Sequence, residues 1–225
     1  MARILALDTT SEFGSIALYD GASGHSAETA MHSPEGFGHI LFDRMAALLA
    51  RESWTIADID CFASASGPGS FTGVRVGLTA AKGLAEACGK QVAVVSNLKA
   101  LAAAGSGPIR ATVIDARRGE IFGAVYNSTL ETVVPERVTT FQAWLESVPD
   151  GAEFIGTNIA PFLPVLTVSE RFRGAPAFNA AASLAPAIAR IGHSDFVARR
   201  TLDPAGVDAN YVRRSDAELF WREAD

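Results

Sequence analysis

With 225 residues, 48% of them hydrophobic and 20% charged, the chain suits one large domain or two joined lobes and has the composition of an ordinary globular protein. The net charge is −6, with 7 basic against 10 acidic residues up to residue 107 and 12 against 15 after it, so neither half has the basic surplus that grips nucleic acid unaided. A membrane protein and a disulfide framework are also disfavoured: there is no signal-peptide or membrane-span run, and Cys61 and Cys88 sit in apolar contexts without a C-x-x-C spacing, which predicts a cytoplasmic chain with buried free thiols.

In chain order, "RILALDTTSEFGSIALYDG" predicts a strand to Leu7, a polar turn from Asp8 to Glu12 and a second strand to Tyr19. "SAETAMHS" alternates as a third, more exposed strand. Beyond the breaker from Pro34 to Gly38, residues 39–51 predict a helix with Leu41, Met45 and Leu48 on one face and Phe42 and Leu49 beside them. "IDCFASA" is a buried strand that leaves into a glycine-rich loop; a helix from Val74 to Cys88 follows, and then the strand "QVAVVS".

After "AAAGSGP" the pattern restarts with "RATVIDARRGEIFGAVYNS". A gapless offset of 107 lays Asp8 on Asp115, Ala17 on Ala124, Leu18 on Val125 and Tyr19 on Tyr126. A repeated strand, acidic turn and strand predicts two related lobes, residues 1–107 and 108–225. Farther on, residues 139–147 read as helix and "AEFIGT" as strand. "AAASLAPAIARIG" reads as a helix broken or started by Pro186, and the tail from Arg199, with Tyr211, Phe220 and Trp221, docks in part.

The fold class expected is α/β: two ribonuclease-H-like lobes of the actin, Hsp70 and sugar-kinase class, each a mixed sheet with flanking helices, between which that class binds ATP. In "LDTT", Asp8, Thr9 and Thr10 match a phosphate loop, with a carboxylate for the metal's water shell and hydroxyls and N–H groups for phosphate oxygens. The other reading is a turn whose side chains bond their own backbone. Asp115 is the candidate second carboxylate.

"SGPGSFTGVRVGLTAAKG", residues 66–83, fails both standard nucleotide loops. Gly73 is followed by Val74 and Arg75 where a Walker loop needs Lys and Ser or Thr, and Gly67, Gly69 and Gly73 are spaced one residue too wide for the dinucleotide fingerprint. An anion at this helix N-terminus stays open. Arg75, Thr79, Lys82 and Glu86 make one narrow polar stripe, so the helix is covered on more than one side. Gly73, Gly77 and Ala80 or Ala81 give a small-residue path for close packing, either inside the chain or at a subunit interface shared with residues 39–51. The latter reading expects Gly77→Arg to spare the fold and abolish partner binding. His25, His32, His39 and His193 form no metal-ligand spacing, and Ser66 and Ser70 lie in no nucleophile elbow.

The segments "ILALDTTSEFGSIALYDG", "SGPGSFTGVRVGL" and "IDARRGEIF" resemble the TsaB (YeaZ) family of the glycoprotease-like superfamily, whose members serve threonylcarbamoyl modification of a tRNA adenosine beside the anticodon. "ANYVRR" resembles the family's closing Pro-x-Tyr-Leu-Arg, with Ala209 and Val212 as departures; "GFGHIL" places Gly36 where the family has a histidine, which weakens metal binding further. The resemblance implies a noncatalytic partner of the transferase TsaD, joined by the ATPase TsaE, homodimeric when alone, contacting tRNA indirectly. It implies partner contacts through N-terminal-lobe helices, and with the helix reading these would include Phe42, Leu49, Gly73, Val74, Gly77, Leu78 and Ala81. No cofactor is expected on this chain alone, ATP or ADP with magnesium being expected at the complex interface. The alternative is a stand-alone ATP-dependent small-molecule kinase or ATPase of the same fold, with Asp8 and Thr10 holding metal and phosphate.

Overall fold

The computed structural model describes residues 2–210; Tyr211, Phe220, Trp221 and the end of "ANYVRR", on which expectations were placed, lie outside the described residues. β1 (Arg3–Asp8) pairs antiparallel with β2 (Phe13–Asp20), β2 antiparallel with β3 (Ser26–His32), and β1 parallel with β4 (Cys61–Ala65), which pairs parallel with β5 (Gln91–Val95). The order is β3-β2-β1-β4-β5. β6 (Ile109–Arg117), β7 (Glu120–Asn127), β8 (Thr132–Thr140), β9 (Glu153–Gly156) and β10 (Ala177–Asn179) repeat it as β8-β7-β6-β9-β10 with the same directions.

The helices repeat too. α1 (Leu41–Arg51), α2 (Phe71–Cys88) and α3 (Asn97–Ala102) of the first half correspond in chain order to α4 (Phe141–Leu145), α5 (Leu163–Val168) and α6 (Ala185–Val197) of the second. This is the two-lobed ribonuclease-H-like α/β class that the sequence repeat implied. β8, β10, α3 and α5 escaped the sequence reading because they are short or, in β8, broken by Pro135 and register shifts. Pro186 starts α6 and does not break it, as its place in the first turn allows.

The last helix of each half crosses to the other sheet. α3 packs on β6 and β7, where Leu98 and Ala102 meet Ala124 and Tyr126. α6 packs on β1, β2 and β4, where Ala185, Ile188 and Ala189 meet Ile4, Ala6, Ala17 and Ala63. A division at residue 107 therefore follows the sheets but not the packing of these helices. Sheet residues on the α6 side are small, and at Gly192 an added Cβ would lie 2.9 Å from the Cβ of Ala63 and 3.2 Å from that of Ala93. On the opposite faces, α1 and α2 bury Leu5, Leu7, Ile16, Leu18 and Phe62, while α4 and α5 cover an aromatic core of Phe141, Trp144, Phe154 and Phe172.

Strand pairing corrects the gapless repeat. Ser15 pairs with Asp8, and Phe122, 107 residues after Ser15, pairs with Ile114, which is only 106 after Asp8. A bulge between Asp115 and Arg117, just ahead of the tight turn of Arg117, Arg118 and Gly119, all at positive φ, leaves the second hairpin one residue longer. Because strand side chains alternate faces, a shift of one reverses direction: Asp8 faces the α6 side with Ile4 and Ala6, whereas Asp115 shares the opposite face with Ala111 and Val113.

Two glycines test this packing. Gly192→Val is expected to cost about 1–3 kcal/mol by forcing α6 off the sheet. Gly83→Ala, in a helix position where an added Cβ meets open space, is expected to gain up to about 1 kcal/mol. Both are read as shifts of the urea midpoint, and equal shifts would contradict the exchanged packing of α6.

Candidate functional site

The β1–β2 turn and the start of α2 form one tightly bonded unit. Asp8, Thr9 and Thr10 are all buried. Asp8 Oδ1 accepts the Thr10 N–H at 3.0 Å and the Thr10 hydroxyl at 2.7 Å, and Thr10 Oγ1 accepts the Asn97 side-chain amide at 2.6 Å. The Thr9 hydroxyl donates to the Gly73 carbonyl at 2.6 Å, and the Ser70 N–H donates to the Thr10 carbonyl at 2.7 Å. Of the two readings of "LDTT", the structure realises the one in which the turn bonds its own chain. The hydroxyl protons of Thr9 and Thr10 and the Thr10 N–H, which a phosphate would need as donors, are already committed.

The glycines of α2 make that closure sterically feasible. A Cβ on Gly73 would sit 2.0 Å from the Thr9 carbonyl oxygen, one on Gly69 2.7 Å from that of Thr10, and one on Gly77 2.7 Å from Thr9 Oγ1 and 3.1 Å from Ser64 Oγ. α2 itself is opened by the Ser70 side chain, which accepts from Gly73 N–H, and ended by Gly89 at φ 63°. Val74, Gly77, Leu78, Ala80, Ala81 and Ala85 are its buried residues.

Most of the contact set expected at a subunit interface is covered within the chain itself. Val74, Leu78 and Ala81 are buried in the core between α2 and the first sheet, Gly77 is buried against Thr9 and Ser64, Gly73 lies under Thr9, and Leu49 is buried on α1. Phe42 alone of that set is open, at 55% exposure. The small-residue path is real, but what it admits is the β1–β2 turn of the same chain. Gly77→Arg is consequently a folding lesion and not a clean interface probe.

An open face does exist on another side of α2. Between α1 and α2 runs an apolar groove of about 570 Å³ lined by Leu41, Phe42, Val76, Ala80, Gly83 and Leu84, with Phe71, Thr72, Arg75 and Thr79 along its α2 rim. Phe71, 45% exposed, carries the Arg75 guanidinium 3.8 Å over its ring. Val76 and Leu84 lie off the small-residue path of Gly73, Gly77 and Ala80 or Ala81, and their helical positions opposite Val74, Leu78 and Ala81 were the available signal.

The remaining candidates are dispersed. Asp115 is exposed and bonds Arg117, its Oδ1 accepting that residue's N–H at 2.7 Å, so it offers no second carboxylate beside Asp8. His25 bonds Glu52 at 2.9 Å, His32 stacks on Phe13, and His193 lies edge-on to Tyr19; among the described residues no three His, Cys, Asp or Glu side chains are grouped to hold a metal. Both cysteines are free, and burial pushes the Cys61 thiol up to about 12. No helix of the described residues is long and apolar enough to cross a membrane.

Burial raises the Asp8 pKa above its ordinary 3.8, against the opposing pull of the Thr10 and Asn97 hydrogen bonds. The folded state thus holds this proton more tightly than the unfolded one, so the group's contribution to stability is full below the unfolded pKa and is lost as pH rises through the folded value. Asp8→Asn, which carries no charge, should gain on the parent protein between pH 4 and pH 7 when urea midpoints are compared; parallel curves would contradict a buried, titrating Asp8.

The family model for tRNA N6-adenosine threonylcarbamoyltransferase (TsaD) matches residues 38–169. The tRNA threonylcarbamoyladenosine biosynthesis protein TsaB of Bacillus subtilis is 30% identical over 176 residues, 74% of this chain and 75% of the relative; TsaB of Escherichia coli is 36% identical over 129 residues, 55% of this chain and 54% of the relative. Among solved structures, YeaZ from Pseudomonas aeruginosa superposes with a TM-score of 0.75 at 23% identity, over 94% of this chain and all of that one, which speaks for the fold. The chain belongs to the TsaB (YeaZ) family.

Proposed function

We infer that this protein serves threonylcarbamoyl modification of tRNA adenosine as a noncatalytic partner of a TsaD-like transferase, which it binds through the α1–α2 groove. The observation that carries this reading is the groove itself: an apolar channel between two helices, flanked by Phe42 at 55% exposure, on a chain whose sheet-facing small residues are already covered. Buried apolar surface is what drives association, and open aromatic anchors beside a helix pair suit helices of a partner. The names of its TsaB relatives support the pathway.

The same reading assigns the chain to the cytoplasm, to a larger assembly with the TsaE ATPase, and to a homodimer through this face when the transferase is absent. Contact with tRNA is then indirect, in keeping with the net charge of −6. Any ATP or ADP with magnesium binds at the joint interface and not on the β1–β2 turn, whose donors are committed inside the chain. The lobes 1–107 and 108–225 act as a docking lobe and a supporting lobe.

Gly83→Arg tests the groove, because its side chain starts in open space and projects a charge into the channel. The variant is expected to keep the parent's circular dichroism and melting temperature while losing capture of the co-expressed transferase at least about 100-fold, in line with the loss of a central interface anchor. Unchanged capture would refute the groove as the docking site. Isothermal calorimetry with ATP and magnesium on the isolated chain addresses the kinase alternative: micromolar binding would favour it over the partner role.

A further inference from the structure

The segment that follows α6 runs back over the first lobe as a strap. Leu202 exchanges both backbone hydrogen bonds with Val92 at the edge of β5, at 2.8 and 2.9 Å. A short helical turn at Pro204–Gly206 then lies on α2, Val207 is buried among the α2 core residues, and its carbonyl accepts the Lys82 ammonium at 2.9 Å. At the glycine-rich loop, the N–H of Asn210, the last described residue, donates to the Ser66 carbonyl at 2.8 Å.

At that point it meets the second lobe. Glu136, on β8, collects three donors from three separate parts of the chain: the Ser96 hydroxyl at the N-cap of α3, the Tyr126 hydroxyl on β7 at 2.8 Å, and the Asn210 side-chain amide at 2.7 Å. Ser96 and the Tyr126 hydroxyl meet on Oε1, and Asn210 on Oε2, so both carboxylate oxygens are engaged. Ser66, which holds the Asn210 backbone, precedes Gly67, whose N–H and carbonyl both bond Asn97, the residue next to Ser96. One carboxylate therefore joins the second sheet, the start of α3 and Asn210 of the strap. Hydrogen bonds to a charged acceptor are about twice as strong as neutral ones, and a network sharing one acceptor lets go together.

We propose that Glu136 is a clasp between the lobes: it holds the C-terminal strap against the glycine-rich loop and α2, so that separation of the second lobe from α3 and release of the strap from α2 are one event. The near end of the strap is fixed independently by the Leu202–Val92 pair. Opening the clasp therefore frees residues 207–210 while 202 stays paired, and exposes the apolar surface that Val207 covers.

Hydrogen–deuterium exchange on the full-length protein tests it. Glu136→Gln keeps the size of the side chain and an acceptor, but loses the charge and cannot satisfy all three donors. It should raise exchange at least about 10-fold in peptides covering 205–210, with a parallel rise at 96–98, while Leu202 keeps its protection. Asn210→Asp, at an exposed position where the change sets carboxylate against carboxylate, should reproduce the strap effect without a folding penalty. Val134→Ala, a core truncation on the same strand, serves as the control and should leave the strap protected. Unchanged exchange at 205–210 in both clasp variants would overturn the proposal, as would an equal rise in the Val134 control.

Discussion

Thr9 and Gly73 meet at a distance that only glycine permits, and much of the molecule follows from that contact. With a Cβ at residue 73 placed 2.0 Å from the Thr9 carbonyl, no other residue allows the Thr9 hydroxyl to reach the Gly73 carbonyl at 2.6 Å. The contact pulls the start of α2 down on the β1–β2 turn, and Asp8, Thr10 and Asn97 complete a buried polar cluster beneath it. Buried polar groups are tolerated when each finds partners, and here they find them within the chain. A turn shaped like a phosphate loop has thereby become a fastening.

That fastening decides which side of α2 remains available. Once Val74, Gly77, Leu78 and Ala81 are turned to the sheet and turn, and Val207 of the strap covers a second flank, the residues left to line the groove are Val76, Ala80, Gly83 and Leu84, with Phe42 of α1. Closure of the turn and exposure of the groove are thus two results of one helix placement. The crossed helices add a second constraint: α3 on the second sheet and α6 on the first tie the lobes through apolar contact, while Glu136 ties them through a polar one.

The sequence exposed the duplication, the first hairpin, α1, most of α2 and the loop that precedes it, because long amphipathic or apolar runs carry a strong period. It placed α2 three residues late, since Phe71 and Thr72 are outside the apolar stripe that was followed. The repeat was legible at the level of β2 against β7, where Ala17, Leu18 and Tyr19 face as Ala124, Val125 and Tyr126 do. It was misleading at Asp8 against Asp115, because a one-residue difference in turn length is invisible in a gapless comparison and reverses the side of the sheet.

By itself the sequence determined that the chain folds as two related α/β lobes, that its glycine-rich segment is neither standard nucleotide loop, and that α2 must be covered on more than one side. Those conclusions rest on residue type and spacing, which local geometry reads directly. Only the tertiary structure decided what covers α2, which of its residues stay open, that Asp115 is no counterpart of Asp8, and that the last helix of each half lies on the other sheet. Each depends on contacts between residues far apart in the chain, such as Thr9 with Gly73, Gly192 with Ala63 and Asn210 with Glu136, and a helix period fixes a face without naming the neighbour it will meet.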